Sequence, residues 1–266
     1  MDLQLKDKVA VVTGGSRGIG KAIARALARE GVDVALIARD MVTADASAAE
    51  IAKETGRAVR AYRADTGDDD AVREAFAAIV REFGHIDILV NAAAQPGGQA
   101  SPPKLMEITR ENFWPDMNVK VLGYLRCAKA AVPHMLKGGW GRIINISGLA
   151  ARSTGEIIGS IRNVGVAALT KNLADELGPS GITVTCVHPG VTHTEKTASL
   201  VQHRAEAAGV PSEEIERRMA QGNTIKRVVT AEEIADIVAF LASPRSAAIN
   251  GDVIAAGGGM PGAIYY

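Results

Sequence analysis

The run Thr13-Gly14-Gly15-Ser16-Arg17-Gly18-Ile19-Gly20 constrains this chain more than any other segment. It follows a β-branched stretch, Val9–Thr13, and opens an amphipathic one, Lys21–Glu30, where Ile23, Leu27 and neighbouring alanines form an apolar stripe. Glycine permits a tight turn and lets backbone N–H groups approach an anion with no Cβ in the way. A helix starting at that point adds its partial positive charge. Strand, loop and helix in this order predict a cradle for the pyrophosphate of a dinucleotide, built from Gly14, Ser16, Arg17, Gly18, Ile19 and Gly20. A tight strand-to-helix turn without a ligand is the competing account.

The same alternation continues along the chain. Candidate strands are Val9–Thr13, Val34–Ala38, Val59–Arg63, Ile88–Asn91, Arg142–Ser147, Ile182–Val187 and Val253–Ala256. Several are apolar almost throughout, as strands covered on both faces must be. Helical patterns lie between them, which predicts a parallel sheet with right-handed crossovers. With 266 residues, 47% of them hydrophobic, and no repeat, low-complexity tract or linker, a single domain over 1–266 is expected. One region, Gly190 to Thr230, carries no strand signal and only polar helical patches at Gln202–Ala208 and Glu213–Gln221. An insertion there follows a strand's carboxyl end and overhangs the ligand crevice, so about 191–228 is expected to be a substrate lid.

Coenzyme choice turns on charge beside the adenosine ribose. An acidic residue ending the second strand would hold a 2′-hydroxyl and repel a 2′-phosphate. Here the strand ends Leu36-Ile37-Ala38-Arg39, and Arg39 with Arg17 offers two guanidinium groups to a phosphate. Asp40 opposes this, but a helix N-cap explains it. NADP(H) is therefore expected in preference to NAD(H). Asp65, ending the third strand, suits either an adenine amino group or a structural turn.

Lys plus Arg and Asp plus Glu each number 30, so the net charge is zero. That balance disfavours a nucleic-acid or anionic-membrane surface as partner. Cys127 and Cys186 lie in apolar surroundings and read as buried free thiols of a reducing compartment. The first residues lack the pattern of a signal peptide, and no apolar run approaches the ~20 residues of a membrane span, so a cytoplasmic protein is expected.

With these residues in hand, the chain from about Leu5 to Gly259 resembles the short-chain dehydrogenase/reductase family. Thr13–Gly20 matches its T-G-x-x-x-G-x-G loop, and Asp65-Thr66 falls where the family holds adenine. Asn91-Ala92-Ala93-Ala94 looks like its N-N-A-G segment, with Ala94 replacing the glycine. Met117-Asn118-Val119 resembles the segment carrying its active-site asparagine, and Pro189-Gly190-Val191-Thr192-His193-Thr194 the turn that covers the nicotinamide. The resemblance implies a single-domain Rossmann fold: an α/β, doubly wound, seven-stranded parallel sheet with helices on both faces. It also implies hydride transfer between nicotinamide and a small carbonyl or alcohol, and a homodimer or homotetramer. The residues it assigns to the coenzyme, beyond the loop, are Arg39, Asp65, Thr66, Asn91, Ala92, Pro189, Gly190, Thr192 and Thr194.

The catalytic half departs from the pattern. The family completes its site with a serine after the fifth strand and a Tyr-x-x-x-Lys on the next helix, the lysine lowering the pKa of the tyrosine that moves the proton. Tyr62, Tyr124, Tyr265 and Tyr266 are the only tyrosines, and none has lysine four positions later. Anchoring the helix on Val166-Ala-Ala-Leu-Thr170 puts Gly159 at the tyrosine and Asn163 at the lysine position. A frame shift by one offers only Ser160 or Ile158. The serine pair becomes Ser147-Gly148, leaving Asn118 as the surviving catalytic position and Ser147 as a neighbour of the lost one. Pro115, three residues before Asn118, removes a backbone donor from that helix.

Asn163 retains the donors and acceptor to hold a ribose hydroxyl. His188, beside Pro189-Gly190, is either a satisfied structural histidine or a surrogate acid titrating near neutrality. Glu156 and His193 are further candidates on segments expected to be mobile, and Arg162 faces either substrate or solvent. Tyr265-Tyr266 is either a tail or an arm reaching a neighbouring subunit's site. His188 and His193 make no metal pair, and no Gly-x-Ser-x-Gly marks a hydrolase. The residues therefore point to an NADP(H)-dependent oxidoreductase with a modified proton relay, acting on a carbonyl, an alcohol or an activated C=C bond. A coenzyme-binding sensor or partner subunit without turnover is the second reading.

Overall fold

The computed structural model describes residues 1–95, 101–262 and 264. Seven strands form one parallel sheet: β1 (Val9–Thr13), β2 (Asp33–Ala38), β3 (Val59–Arg63), β4 (Ile88–Asn91), β5 (Gly141–Ile146), β6 (Ile182–Pro189) and β9 (Val253–Ala256), in the order β3-β2-β1-β4-β5-β6-β9. These are the seven expected strands, four with the expected bounds and β2, β5 and β6 with ends displaced by one or two residues.

Period-two alternation sends neighbouring side chains to opposite faces. Ala10, Val12, Leu36, Ile88, Val90 and Ile144 pack against helices α1 (Gly18–Arg29), α2 (Met41–Thr55) and α9 (Ala231–Ala242). Val11, Ala35, Ile37, Leu89 and Ile143 pack on the other face, against α3 (Asp69–Phe83), α5 (Gly123–Gly138) and the end of α6 (Ile157–Leu177). Each fully buried Leu or Ile of these layers contributes about 1.5–3 kcal/mol on transfer from water. Side-chain caps set the helix starts: Asp40 accepts from Thr43 N at α2, and Asp68 accepts from Ala71 N at α3. Asp40 is thus the N-cap its position suggested.

β1 pairs with both β2 and β4, so the strand order reverses there and the carboxyl ends of β1 and β4 splay into a crevice. Past β6 the chain leaves the sheet for α7 (Glu195–Ala208) and α8 (Ser212–Gln221), which share a small core of Val201, Ala205 and Ile215. The absence of strand expected between Gly190 and Thr230 is corrected here. Two-residue strands, β7 (Thr192–His193) and β8 (Val229–Thr230), pair in parallel and pin the two ends of the excursion together. Pairs that short are invisible to periodicity. Before α5, helix α4 (Arg110–Asp116) contains Pro115 and runs into a π-helical stretch, Met117–Leu122, where the wider turn follows the missing proline donor. No described helix is long and apolar enough to cross a membrane.

Candidate coenzyme and catalytic site

The glycine loop is built as a cradle. Gly14 and Gly18 have φ of +66° and +55°, and a Cβ on Gly20 would stand 2.3 Å from Gly14 O. No other residue fits all three places. Gly14 N–H donates to Ile37 O at 2.8 Å, and Ser47 Oγ donates to Ser16 O at 2.9 Å, so the loop is fastened to β2 and α2. It opens on a crevice of about 370 Å³. Gly14, Ser16, Arg17, Ile19, Gly20, Arg39, Asp65, Thr66, Ala92 and Thr194 line it, with Gly18 at the N-terminus of α1 beside it. Thr13 Oγ1 accepts from Ala92 N and Ala93 N at 3.1 and 3.2 Å, drawing the end of β4 over the loop.

Both arginines stand at this crevice and both have acidic neighbours. Arg17 Nη2 lies 3.3 Å from Asp40 Oδ2, and Arg39 Nη1 lies 3.8 Å from Asp65 Oδ2. Asp65 also accepts from Gly67 N at 2.8 Å, so it makes a turn while facing the crevice. Two residues of the excursion past β6 enter the same space. Lys196 lines it, and Glu195 Oε2 accepts the backbone N–H of Gly18 at 2.9 Å.

A buried polar chain runs from there to α6. Asn91 Nδ2 donates to Asn145 Oδ1 at 2.9 Å, and Asn145 Nδ2 donates to Thr170 Oγ1 at 3.0 Å. Asn163, one turn after Gly159 on α6, is 3% exposed, and its Oδ1 has no hydrogen-bond partner among the described residues. That orphaned acceptor and the cradle are what a nicotinamide dinucleotide would need, so the residues fit such a group. Pro189, Gly190 and Thr192 lie at the end of β6, where Thr192 Oγ1 donates to Gly190 O at 3.0 Å and Thr197 Oγ1 to Thr192 O at 2.9 Å.

The catalytic candidates fall apart into different surroundings. Asn118 turns away from α6: its Nδ2 donates to Gly67 O at 3.0 Å, and its carbonyl accepts from Arg126 Nη1 at 3.0 Å. Ser147 Oγ donates to Asn163 O at 3.1 Å, so its hydroxyl is spent on the helix backbone. A Cβ on Gly148 would come 3.1 Å from Asn163 Nδ2, and one on Gly159 would meet the Glu156 carboxylate, 2.5 Å from both Cδ and Oε2. Gly148 therefore adjoins Asn163, and Gly159, one turn earlier on α6, lies against the Glu156 carboxylate.

His188 fits neither description made of it from sequence. Its ring is buried with both nitrogens unpartnered among the described residues, so it is not a satisfied histidine. Burial, then the positive charges of Arg152 and Lys120, push its pKa down to about 4. It is neutral at pH 7 and cannot act there as an imidazolium acid. Arg162 is largely enclosed, and its Nη1 pairs with Asp116 Oδ1 at 2.6 Å, tying α6 to α4. His193 is exposed on β7 near the lid's base. Tyr265 and Tyr266 lie outside the described residues. Among the described residues no group of His, Cys, Asp and Glu could hold a metal ion.

One residue that sequence reasoning passed over stands behind this site. Lys120, in the π-helical stretch, is 5% exposed and its Nζ donates to Ser147 O at 3.0 Å. Burial lowers its pKa to about 7, aided by Arg162 and opposed by Cys186, Asp116 and Glu156. Beside it Tyr124 OH donates to Ile146 O at 2.8 Å, so both carbonyls at the end of β5 are satisfied by side chains.

The family model described as enoyl-(acyl carrier protein) reductase matches residues 14–261. The chain belongs to the short-chain dehydrogenase/reductase family. It is 36% identical to the short-chain reductase NovJ of Streptomyces niveus over 258 residues, 96% of this chain and 95% of that one. L-sorbose reductase from Gluconobacter frateurii, solved with NADPH and L-sorbose, superposes with a TM-score of 0.93 at 29% identity, covering 99% and 100% of the two chains. An NAD+-bound xylitol dehydrogenase superposes with a TM-score of 0.87 at 26% identity, covering 96% and 100%.

Within this short-chain dehydrogenase/reductase, the signals for the missed residues were faint. A lysine in Met-Asn-Val-Lys-Val-Leu breaks an apolar run, which hints at burial but does not locate it. Glu195 and Lys196 follow the Pro-Gly turn directly, yet only the fold brings them to a loop near the N-terminus.

Proposed function

We propose that the chain is an NADP(H)-dependent oxidoreductase that reduces a small carbonyl or activated C=C substrate, or oxidises the matching alcohol, through a modified proton relay. The cradle of Gly14, Gly18 and Gly20 opening on the β1/β4 crevice carries this reading. Its loop N–H groups and the start of α1 suit a pyrophosphate. Arg17 and Arg39 suit a 2′-phosphate, the observation that favours the phosphorylated coenzyme. The NADPH held by L-sorbose reductase agrees with this preference, while the NAD+ of xylitol dehydrogenase keeps both coenzymes in the test.

When bound, the coenzyme supplies or accepts hydride. The chain's own part is binding and orientation: Asp65 and Thr66 flank the adenine end, Asn163 Oδ1 accepts from a ribose hydroxyl, and the turn Pro189–Thr194 covers the reacting end. The lid of α7 and α8, over about 191–228, excludes water above it. An exposed apolar stripe on α6, Ile157, Ile161 and Val164, at 42%, 45% and 51% exposure, supports a homodimer or homotetramer. Two free thiols, Cys127 and Cys186, both buried, suit a cytoplasmic location.

A non-catalytic coenzyme-binding role is the second reading, favoured by the joint absence of side chains at Gly148 and Gly159 and of a cation at Asn163. Calorimetric titration with NADPH and NADH tests the shared premise, and failure of both to bind sinks both readings. Oxidation of NADPH by an acetoacetyl thioester, a crotonyl thioester or L-sorbose, followed by absorbance, then separates turnover from binding alone.

A further inference from the structure

We infer that the Glu156 carboxyl group is the proton-exchanging residue of this site, occupying the volume that a side chain at position 159 would fill. The inference rests on the oxidoreductase reading above. Glu156 is the N-cap of α6, but its side chain does not cap the helix. Among the described residues it makes no hydrogen bond or ion pair; instead it folds over Gly159, where an added Cβ would lie 2.5 Å from Cδ and Oε2 and 2.8 Å from Oε1. A carboxylate held at a helix start without engaging it is available for other chemistry.

The surroundings suit proton exchange. Gly159 and Asn163 are one turn apart on the same buried side of α6, and Gly148 faces Asn163 from the end of β5. The Asn163 amide and the Glu156 carboxylate thus stand against the two positions that carry no side chain. Glu156 is only partly buried, so it can regain its proton from water. Glu156 and Lys120 on the π-helical stretch lie close enough for their charges to interact, and Arg162 and Asp116, paired with each other, act on the same amine. Lys120 Nζ is itself fixed by its bond to Ser147 O, just past β5.

The step balances with a reduced nicotinamide as reductant. Hydride adds to the carbonyl carbon and the C=O π pair moves to oxygen. The Glu156 O–H bond breaks, its proton passes to that oxygen, and the carboxylate takes a proton from solvent. In alcohol oxidation the Glu156 carboxylate accepts the hydroxyl proton as hydride leaves for the oxidised nicotinamide.

Glu156→Gln and Gly159→Ala test this in the full chain. The first removes the acid; the second puts a methyl where the carboxylate sits and evicts it. Turnover of acetoacetyl thioester or L-sorbose should fall about a hundredfold or more in Glu156→Gln and at least tenfold in Gly159→Ala, the scale of a lost general acid. KM and the calorimetric Kd for NADPH should stay within about twofold, and carbodiimide should modify Glu156 in the coenzyme-free wild type. If the wild type turns over and Glu156→Gln keeps more than a third of its rate, the assignment is wrong while the oxidoreductase reading stands. Resistance of Glu156 to carbodiimide overturns it as well. NADPH binding without turnover of any probe removes the assignment and favours the binding-only reading, and no NADPH binding removes the reading beneath both.

Discussion

The Glu195 carboxylate accepts the backbone N–H of Gly18 at 2.9 Å, joining the first residue of helix α7 to the glycine loop 177 positions earlier. The N–H it engages is one that a pyrophosphate would take, so an internal anion stands where the coenzyme's anion is expected. Coenzyme binding must displace it. Glu195→Gln, which keeps the acceptor and removes the charge, should tighten NADPH by about three- to tenfold, the scale of a charge at a helix N-terminus. Titration calorimetry reads this directly, and an unchanged Kd would show that the contact does not compete.

Arg39 is half-exposed and only loosely paired with Asp65 at 3.8 Å, so its guanidinium is free to turn to a 2′-phosphate. Arg39→Ala should weaken NADPH by about tenfold or more while changing NADH by less than about twofold, since a hydrogen bond to a charged group is worth about 1.5–3 kcal/mol. Fluorescence titration with both coenzymes checks the difference. Equal losses would mean that Arg39 supports the fold of the crevice and does not read the phosphate.

Gly20 allows no Cβ, because Gly14 O lies 2.3 Å from where one would be. The obstacle is backbone, so the loop itself must move. Gly20→Ala should cost about 1–3 kcal/mol and lower Tm by about 3–10 °C, with a larger proportional loss of NADPH affinity. Thermal unfolding with and without NADPH separates the two effects, and a variant with wild-type coenzyme affinity contradicts the cradle.

Lys120 links stability to pH with a definite sign. Burial lowers its pKa from the ordinary lysine value to about 7, so between pH 7 and the unfolded value the unfolded chain binds the extra proton. Stability from this residue is full above the unfolded pKa and is lost as pH falls through about 7. The thiols of Cys127 and Cys186, raised to about 12 by burial, act in the opposite sense at higher pH. Comparing the wild type with Lys120→Met at pH 6.5 and 8.5 isolates the lysine. The wild type should gain on the variant as pH rises, and urea midpoints moving in parallel would refute the buried amine.

The sheet was legible in the sequence because its causes are local. β-branched runs such as Ile88–Asn91 declare a strand by themselves, and the three glycines of the loop sit together in one turn. What escaped detection depended on distance or depth. β7 and β8 are two residues each and exist only because the ends of the lid meet. The contact of Glu195 with Gly18 needs the whole fold. Burial is equally silent: His188 reads as a satisfied structural histidine or a surrogate acid, and only the fold shows a ring whose enclosure lowers its pKa to about 4, while the pairing of Arg162 with Asp116 needs α4 beside α6. Lys120 interrupts an apolar run, a hint of burial that does not say which carbonyl the amine reaches.

Tyr124 and Lys120 answer the last two carbonyls of β5 from within the chain, and Ser147 spends its hydroxyl on α6. The strand end is therefore complete whatever stands at positions 148, 159 and 163. Side chains exchanged at those three places would leave the hydrogen bonds of the strand end in place, because none of those bonds uses them.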